Sequence, residues 1–343
     1  MNTIRSHDAR ATQGTKKAFV FALLLAVMLL ATLAWPGQVR GQSDTRRVGI
    51  LSYSVVADET GWAPFLRLFR QTLADRDWVE GKNVSFEFSS AHNEPSKFAA
   101  AAKALVDSKV DVIWAISAPA LRAAHGATHA IPIVGIDYTT DPVAEGYVQS
   151  YGRPGGNVTG IFLDAPDFAG KWFELLRAMI PDLSRVAVLW DPAPGTTHLI
   201  AARSIAKSLN IDVHVLEVRK PDDIDRAFTV IGEPQAVMIL PSPMIYNESE
   251  RLAKLAMTHG VPAISFARAF AGAGGAVAYG PEDNAALESL AVLVGKILDG
   301  ASPAVLPVER PTKVQLIVNL KTAKALGITV PQSMLLRADE VIR

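Results

Sequence analysis

The sequence predicts an α/β fold of two doubly wound parallel-sheet lobes, and three observations predict it. Short Val- and Ile-rich runs alternate with amphipathic stretches almost to the end of the chain, as buried parallel strands joined by helices do. Between Gly152 and Gly160 four glycines and a proline fall within nine residues, a break after which the pattern begins again. Beyond an apolar N-terminal stretch roughly 300 residues remain, more than one hydrophobic core usually holds.

In the first half, Val48–Leu51, Val110–Trp114 and Ile131–Ile136 are short and apolar throughout, which fits strands covered on both faces. Val84–Phe88 alternates instead, as a strand with one wetter face would. Phe65, Leu66, Phe69 and Leu73 recur at helical spacing, as do Phe98, Ala102, Leu105 and Val106. In the second half a helix carries Phe168, Trp172, Leu175, Leu176 and Met179 on one face. Strands are expected at Val186–Trp190, Val213–Val218, Ala236–Leu240, Ala263–Phe266 and Ala276–Tyr279. A helix with Leu287, Leu290, Val294 and Leu298 follows, then a strand near Leu316–Asn319 and a short helix from Lys321.

Lys16-Lys17 precedes seventeen apolar or small residues, Ala18–Ala34, and Val39-Arg40-Gly41 offers small side chains for cleavage after Gly41. This is the pattern of a secretory signal peptide over residues 1–41; an uncleaved anchor is the other reading. Cleavage removes five basic residues and one acidic one from the 34 of each, leaving a net charge of −4. A slightly acidic product without a basic block has no electrostatic footprint for nucleic acid. The chain contains no cysteine, which excludes disulfides, thiolate metal sites and a lipid-modified N-terminal Cys. A soluble product outside the cytoplasm is expected.

Catalytic and cofactor motifs are missing. There is no Gly-x-Ser-x-Gly elbow, no phosphate loop and no His-Glu-x-x-His. The glycines 272, 274 and 275 precede a strand instead of opening a helix, so they read as a turn, and no cofactor is expected. His125 and His129 have the spacing of two metal ligands on a helix, but no third ligand accompanies them; a solvated helix face is the reading. The candidate site lies just past the strand ends, where an open parallel sheet forms its crevice. Those positions are Ser52 and Tyr53, Ser117 and Ala118, and Asp137 and Tyr138 in the first half. The second half contributes Asp164, Asp191, Ser242, Phe266 and Tyr279. Hydroxyls and helix-start amides suit a carboxylate, an Asp suits an ammonium, and aromatic rings stack. Ser and Asp at such positions also serve as helix caps.

Motifs along the chain carry a family resemblance. They include FRQTLADRDWVEGKNVSFEF (69–88), LVDSKVDVIWA (105–115), IPIVGIDYTTDPVAEGYV (131–148), RPGGNVTGI (153–161) and LSRVAVLWDP (183–192). The C-terminal ones are GGAVAYGPEDN (274–284), PTKVQLIVNLKTAKALGITVP (311–331) and RADEVIR (337–343). Together they span nearly all of residues 46–343. The chain resembles the periplasmic substrate-binding proteins of ABC transporters, in the subgroup that includes tryptophan- and tyrosine-binding members. The resemblance implies a type I fold whose first lobe is 42–157 plus 281–310 and whose second is 158–280 plus 311–343. The glycine-rich run at 152–160 and Tyr279–Pro281 would then be crossovers. It implies a periplasmic monomer that closes on a small molecule, an amino acid or an aromatic amino-acid-like compound, and hands it to a membrane permease without chemistry. Ser117-Ala118-Pro119-Ala120, Asp137-Tyr138 and Asp191 depart from the subgroup's usual pattern, so ligand identity does not carry over. An extracytoplasmic α/β enzyme and a ligand-sensing adaptor remain alternatives.

Overall fold

The Val- and Ile-rich runs form strands because both of their faces are covered. The computed structural model describes residues 45–56, 62–163 and 165–343; the expected signal peptide lies outside them. Residues 45–343 form one compact unit. The first sheet contains β1 (Arg46–Ser52), β2 (Val84–Ser90), β3 (Val112–Ile116), β4 (Ile133–Asp137) and β5 (Val158–Phe162). All pair in parallel, in the order β2-β1-β3-β4-β5. Helices α1 (Ala63–Ala74), α2 (Phe98–Asp107) and α3 (Ala118–Ala127) connect them. The alternating strand β2 lies at the sheet edge, as its wetter face predicts.

The second sheet contains β6 (Arg185–Trp190), β7 (Asp212–Glu217), β8 (Ala236–Ile239), β9 (Ala263–Ser265), β10 (Val277–Pro281), β11 (Val314–Asn319) and β12 (Glu340–Ile342). Their order is β12-β11-β10-β9-β8-β6-β7, and β10 and β11 are the antiparallel pair. Its helices are α4 (Ala165–Met179), α5 (Thr197–Ser208), α6 (Asp222–Thr229), α7 (Pro243–Asn247), α8 (Ser249–Thr258) and α9 (Arg268–Gly272). Then come α10 (Asp283–Leu298), α11 (Leu320–Ala325) and α12 (Gln332–Leu335). Helix α10 follows a second-sheet strand yet packs on the first lobe. Its Leu287, Leu290 and Val294 join Leu66, Phe69 and Leu73 in one buried cluster. In that cluster Phe69 stacks on Trp114 at 4.6 Å between ring centroids.

The glycine-rich run is not the crossover. Strand β5 continues the first sheet, and the chain leaves it only after Phe162. The glycine that reads as punctuation is what lets β5 approach β4. Gly160 has φ +147, and a Cβ there would stand 2.0 Å from the Gly135 carbonyl oxygen. Later passages occur at Pro281–Asp283 and between Glu309 and Val314. Glu309 donates its amide to the Gly160 carbonyl at 2.8 Å, and Glu282 donates to Lys313 O at 3.0 Å.

Candidate ligand-binding cleft

At the end of β1 the Ser52 hydroxyl donates to Ser54 O at 2.6 Å. The Tyr53 hydroxyl donates to Asn93 O at 2.8 Å. Burial, then the carboxylates of Asp191 and Glu248, push the Tyr53 phenol up to about 12. Both carboxylates belong to the second lobe, so Tyr53 faces it. Beyond β3, Ser117 has φ 99, a region that residues other than glycine rarely enter and that clusters at functional sites. Its Oγ is buried without a partner, and Ala118, fully buried, opens α3 beside it.

Asp137 is buried, and burial raises its carboxyl above the usual range. Its Oδ1 accepts from the Thr139 amide at 2.8 Å and the Thr139 hydroxyl at 2.6 Å, and its Oδ2 accepts from Thr140. The carboxylate is thus spent on holding its own turn, which presents the next residue. The Tyr138 hydroxyl is buried and has no partner. Burial raises it well above the phenol range, and Asp283, Tyr246 and Glu282 add to the effect.

In the second lobe Asp191 accepts from the Ala193 amide at 2.9 Å and from the Ser242 hydroxyl at 2.6 Å. Ser242 in turn caps α7 by accepting from the Ile245 amide. Phe266 packs against Tyr246 at 5.9 Å. The Tyr246 hydroxyl donates to Asp283 Oδ2 at 3.3 Å. Tyr279 turns toward α4, where its ring lies 5.5 Å from Phe168 and its carbonyl accepts from Trp172 Nε1 at 2.9 Å. Asp164 lies outside the described residues.

The two lobes also touch through His198 and Arg122, which sequence reasoning did not select. His198 Nε2 is 2.5 Å from Tyr138 O. Burial lowers this imidazole to about 4, so it is neutral at pH 7. Arg122 of α3 donates to Ala193 O at 3.4 Å and Pro194 O at 3.3 Å. Of the predicted positions, Asp191 and Ser242 are hydrogen-bonded and the Asp191 charge reaches Tyr53, while Tyr138 and Phe266 share Tyr246 as a neighbour and Tyr279 lies to one side. Tyr246, Asp283, His198 and Arg122 were missed. Asp283 had a signal: it lies two residues past the end of β10, once that strand is read to Pro281. Beside the Tyr53 group a pocket of about 390 Å³ opens at the ends of β1 and β2, lined by Ser52, Val56, Phe88, Ser90, His92 and Lys97.

His125 and His129 pack edge to face at 5.0 Å, and Tyr147 lies 5.2 Å from His125. Among the described residues no group of three His, Cys, Asp or Glu side chains is placed to hold a metal ion.

The family model for ABC transporter substrate binding proteins matches residues 66–342. The chain belongs to that family. Among curated members it is 26% identical over 292 residues to the tyrosine-binding protein of Clostridioides difficile (strain R20291), covering 84% of this chain and 83% of that one. A crystal structure of a conserved domain protein from Vibrio cholerae O1 biovar El Tor superposes with a TM-score of 0.78 at 25% identity, over 87% of this chain and 99% of that one. The ABC domain from Streptococcus pneumonia, solved in complex with L-Trp, gives 0.76 at 23% identity, over 87% and 100%. For a substrate-binding protein the two lobes and the chain passages between them are the type I arrangement. Among the described residues no helix is long and apolar enough to cross a membrane.

Proposed function

We propose that this substrate-binding protein works as a periplasmic monomer, exported by a cleaved signal peptide at residues 1–41. It traps an aromatic amino-acid-like molecule between its lobes and delivers it to a membrane permease. The observation that carries the ligand reading is the buried, unpartnered Tyr138 hydroxyl at the seam of the lobes. A buried hydroxyl without a partner is costly unless a bound molecule supplies one. Ser117 Oγ has the same character at the start of α3, where first-turn amides favour an anion such as a carboxylate. Tyr246 and Phe266 supply aromatic surface. The names of the tyrosine-binding relative and the L-Trp complex support the same ligand class.

The mechanism is conformational. A ligand that contacts both lobes favours the closed arrangement by the contacts it gains there, and the permease reads that arrangement. No chemical step belongs to this reading: the Ser242 hydroxyl is a helix cap held by Asp191, not an activated nucleophile. Denaturing mass spectrometry of the purified protein lacking residues 1–41 tests it, followed by calorimetry with L-tyrosine and L-tryptophan. Tyr138→Phe should weaken binding about tenfold, roughly 1.4 kcal/mol. Release of no small molecule, together with no heat from either amino acid, would refute the ligand class.

A further inference from the structure

The charges that act on the Tyr53, Tyr138 and Tyr246 hydroxyls share one sign. Asp191 and Glu248 act on Tyr53, Asp283 and Glu282 act on Tyr138, and Asp283 acts on Tyr246. Most of these carboxylates are occupied. Asp191 holds Ser242 and the Ala193 amide. Glu248 pairs with Arg251 at 3.4 Å, and Glu282 caps α10 through the Asn284 and Ala285 amides.

Asp283 differs. Its hydrogen bond is the 3.3 Å contact from the Tyr246 hydroxyl, long for an O–H donor. Among the described residues it forms no ion pair. The cation that acts on it, Arg268, is committed to Glu340 at 2.8 Å. A half-buried carboxylate whose nearest cation is paired elsewhere is under-compensated, and the neighbouring Tyr138 hydroxyl is unpartnered as well. Tyr246, the donor in that contact, packs its ring against Phe266 at 5.9 Å. A carboxylate flanked by aromatic rings is the chemistry that recognises an ammonium group.

We propose that Asp283 seats a protonated amine of the ligand, and that the site selects for this amine. Its ligand class is then aromatic molecules that carry a protonated amine. The inference rests on the aromatic ligand reading above, and its test separates the two.

Calorimetry on the protein lacking residues 1–41 would compare tyramine, L-tyrosine, 3-(4-hydroxyphenyl)propionic acid and putrescine, with wild type and Asp283→Asn. Tyramine and tyrosine should bind, and the amine-free acid should bind at least thirtyfold more weakly. Asp283→Asn should weaken tyramine at least tenfold and leave the acid unchanged; Tyr246→Phe should weaken tyramine a few-fold. Circular dichroism and the thermal midpoint establish that each variant is folded. An acid that binds as tightly as tyrosine would overturn the amine seat, as would a folded Asp283→Asn protein with undiminished tyramine affinity. Putrescine binding that depends on Asp283, with no aromatic compound bound, would keep the seat and refute the aromatic reading. Binding of none of the four would overturn both.

Discussion

His198 Nε2 lies 2.5 Å from the main-chain oxygen of Tyr138, joining helix α5 of the second lobe to the end of β4 in the first. A carbonyl only accepts, so Nε2 carries the proton and Nδ1, buried and unpartnered, is left as an acceptor. The Trp172 ring stacks on this imidazole at 5.7 Å, and its indole N–H holds the Tyr279 carbonyl. A line of aromatic contacts thus runs from the crossover strand β10 to the lobe interface.

That relationship makes acid sensitivity testable. Burial lowers the folded His198 from 6.5 to about 4, so between those values the unfolded chain binds the extra proton. Stability from this group is complete above pH 6.5 and is lost as pH falls toward 4, by about 3 kcal/mol in total. Asp137 and Asp191 work in the opposite direction, because burial raises their carboxyls and acid favours their folded form. The comparison must therefore be a difference. His198→Gln keeps an N–H donor but cannot titrate. Urea unfolding at pH 7 and pH 5 should show a smaller loss in the variant than in wild type, by about 2 kcal/mol; equal losses would mean that the imidazole does not stay neutral.

Arg122 should act on closure without strongly affecting the fold. Its two bonds to Ala193 O and Pro194 O are long, and its side chain is about half exposed, so Arg122→Ala should cost less than about 1 kcal/mol in unfolding. The bonds join the lobes directly. Ligand dissociation followed by stopped-flow fluorescence should therefore be a few times faster, with the association rate little changed. An unchanged dissociation rate would remove Arg122 from the closing contacts.

Gly280 tests the link between strand spacing and the cleft. A Cβ there would fall 2.1 Å from the Phe266 carbonyl oxygen, so Gly280→Ala must separate β10 from β9 and shift Phe266 away from Tyr246. A loss of about 2 kcal/mol or more is expected, with weaker ligand binding. Gly272→Ala is the control. Nothing lies within 4 Å of its added Cβ, and in helix α9 it should be neutral or stabilising by about 0.5 kcal/mol. A denaturation midpoint that falls equally in both variants would contradict this reading.

The fold was legible where strands are buried on both faces. Val112–Ile116 and Ala236–Ile239 lie where apolar runs predict them, within a residue or two. Strand β5 was misread because glycine signals a turn and a close strand approach alike, and only the neighbour at Gly135 decides between them. In the site, positions after strand ends could be enumerated, but not their tasks. Asp137 and Asp191 satisfy local amides and hydroxyls, whereas Tyr138 remains unpaired. Tyr246 and Arg122 sit on helices, and no linear pattern separates a cleft-facing helical residue from a solvated one. Asp283 escaped because β10 was taken to end at Tyr279, two residues short of Pro281.

Asp283 makes the amine seat dependent on pH. Burial raises its carboxyl from 3.8 to about 6, Glu282 adds to the rise, and the Tyr246 hydroxyl and Arg268 oppose it. Tyr138, the other group facing it, stays protonated throughout the acid range, and His198 stays neutral above about 4. Because the folded value lies above the unfolded one, the ligand-free protein gains stability from this group as pH falls through 6, fully below 3.8. Asp283→Asn should therefore stabilise the ligand-free protein at pH 7, by about 1 kcal/mol once its partial exposure is discounted. Amine binding runs the other way, since it needs the carboxylate. Tyramine affinity measured calorimetrically should be constant above pH 7 and fall about tenfold by pH 5. In Asp283→Asn it should be weak and flat. A wild-type affinity that holds constant from pH 7.5 to 5 would place the amine elsewhere in the cleft.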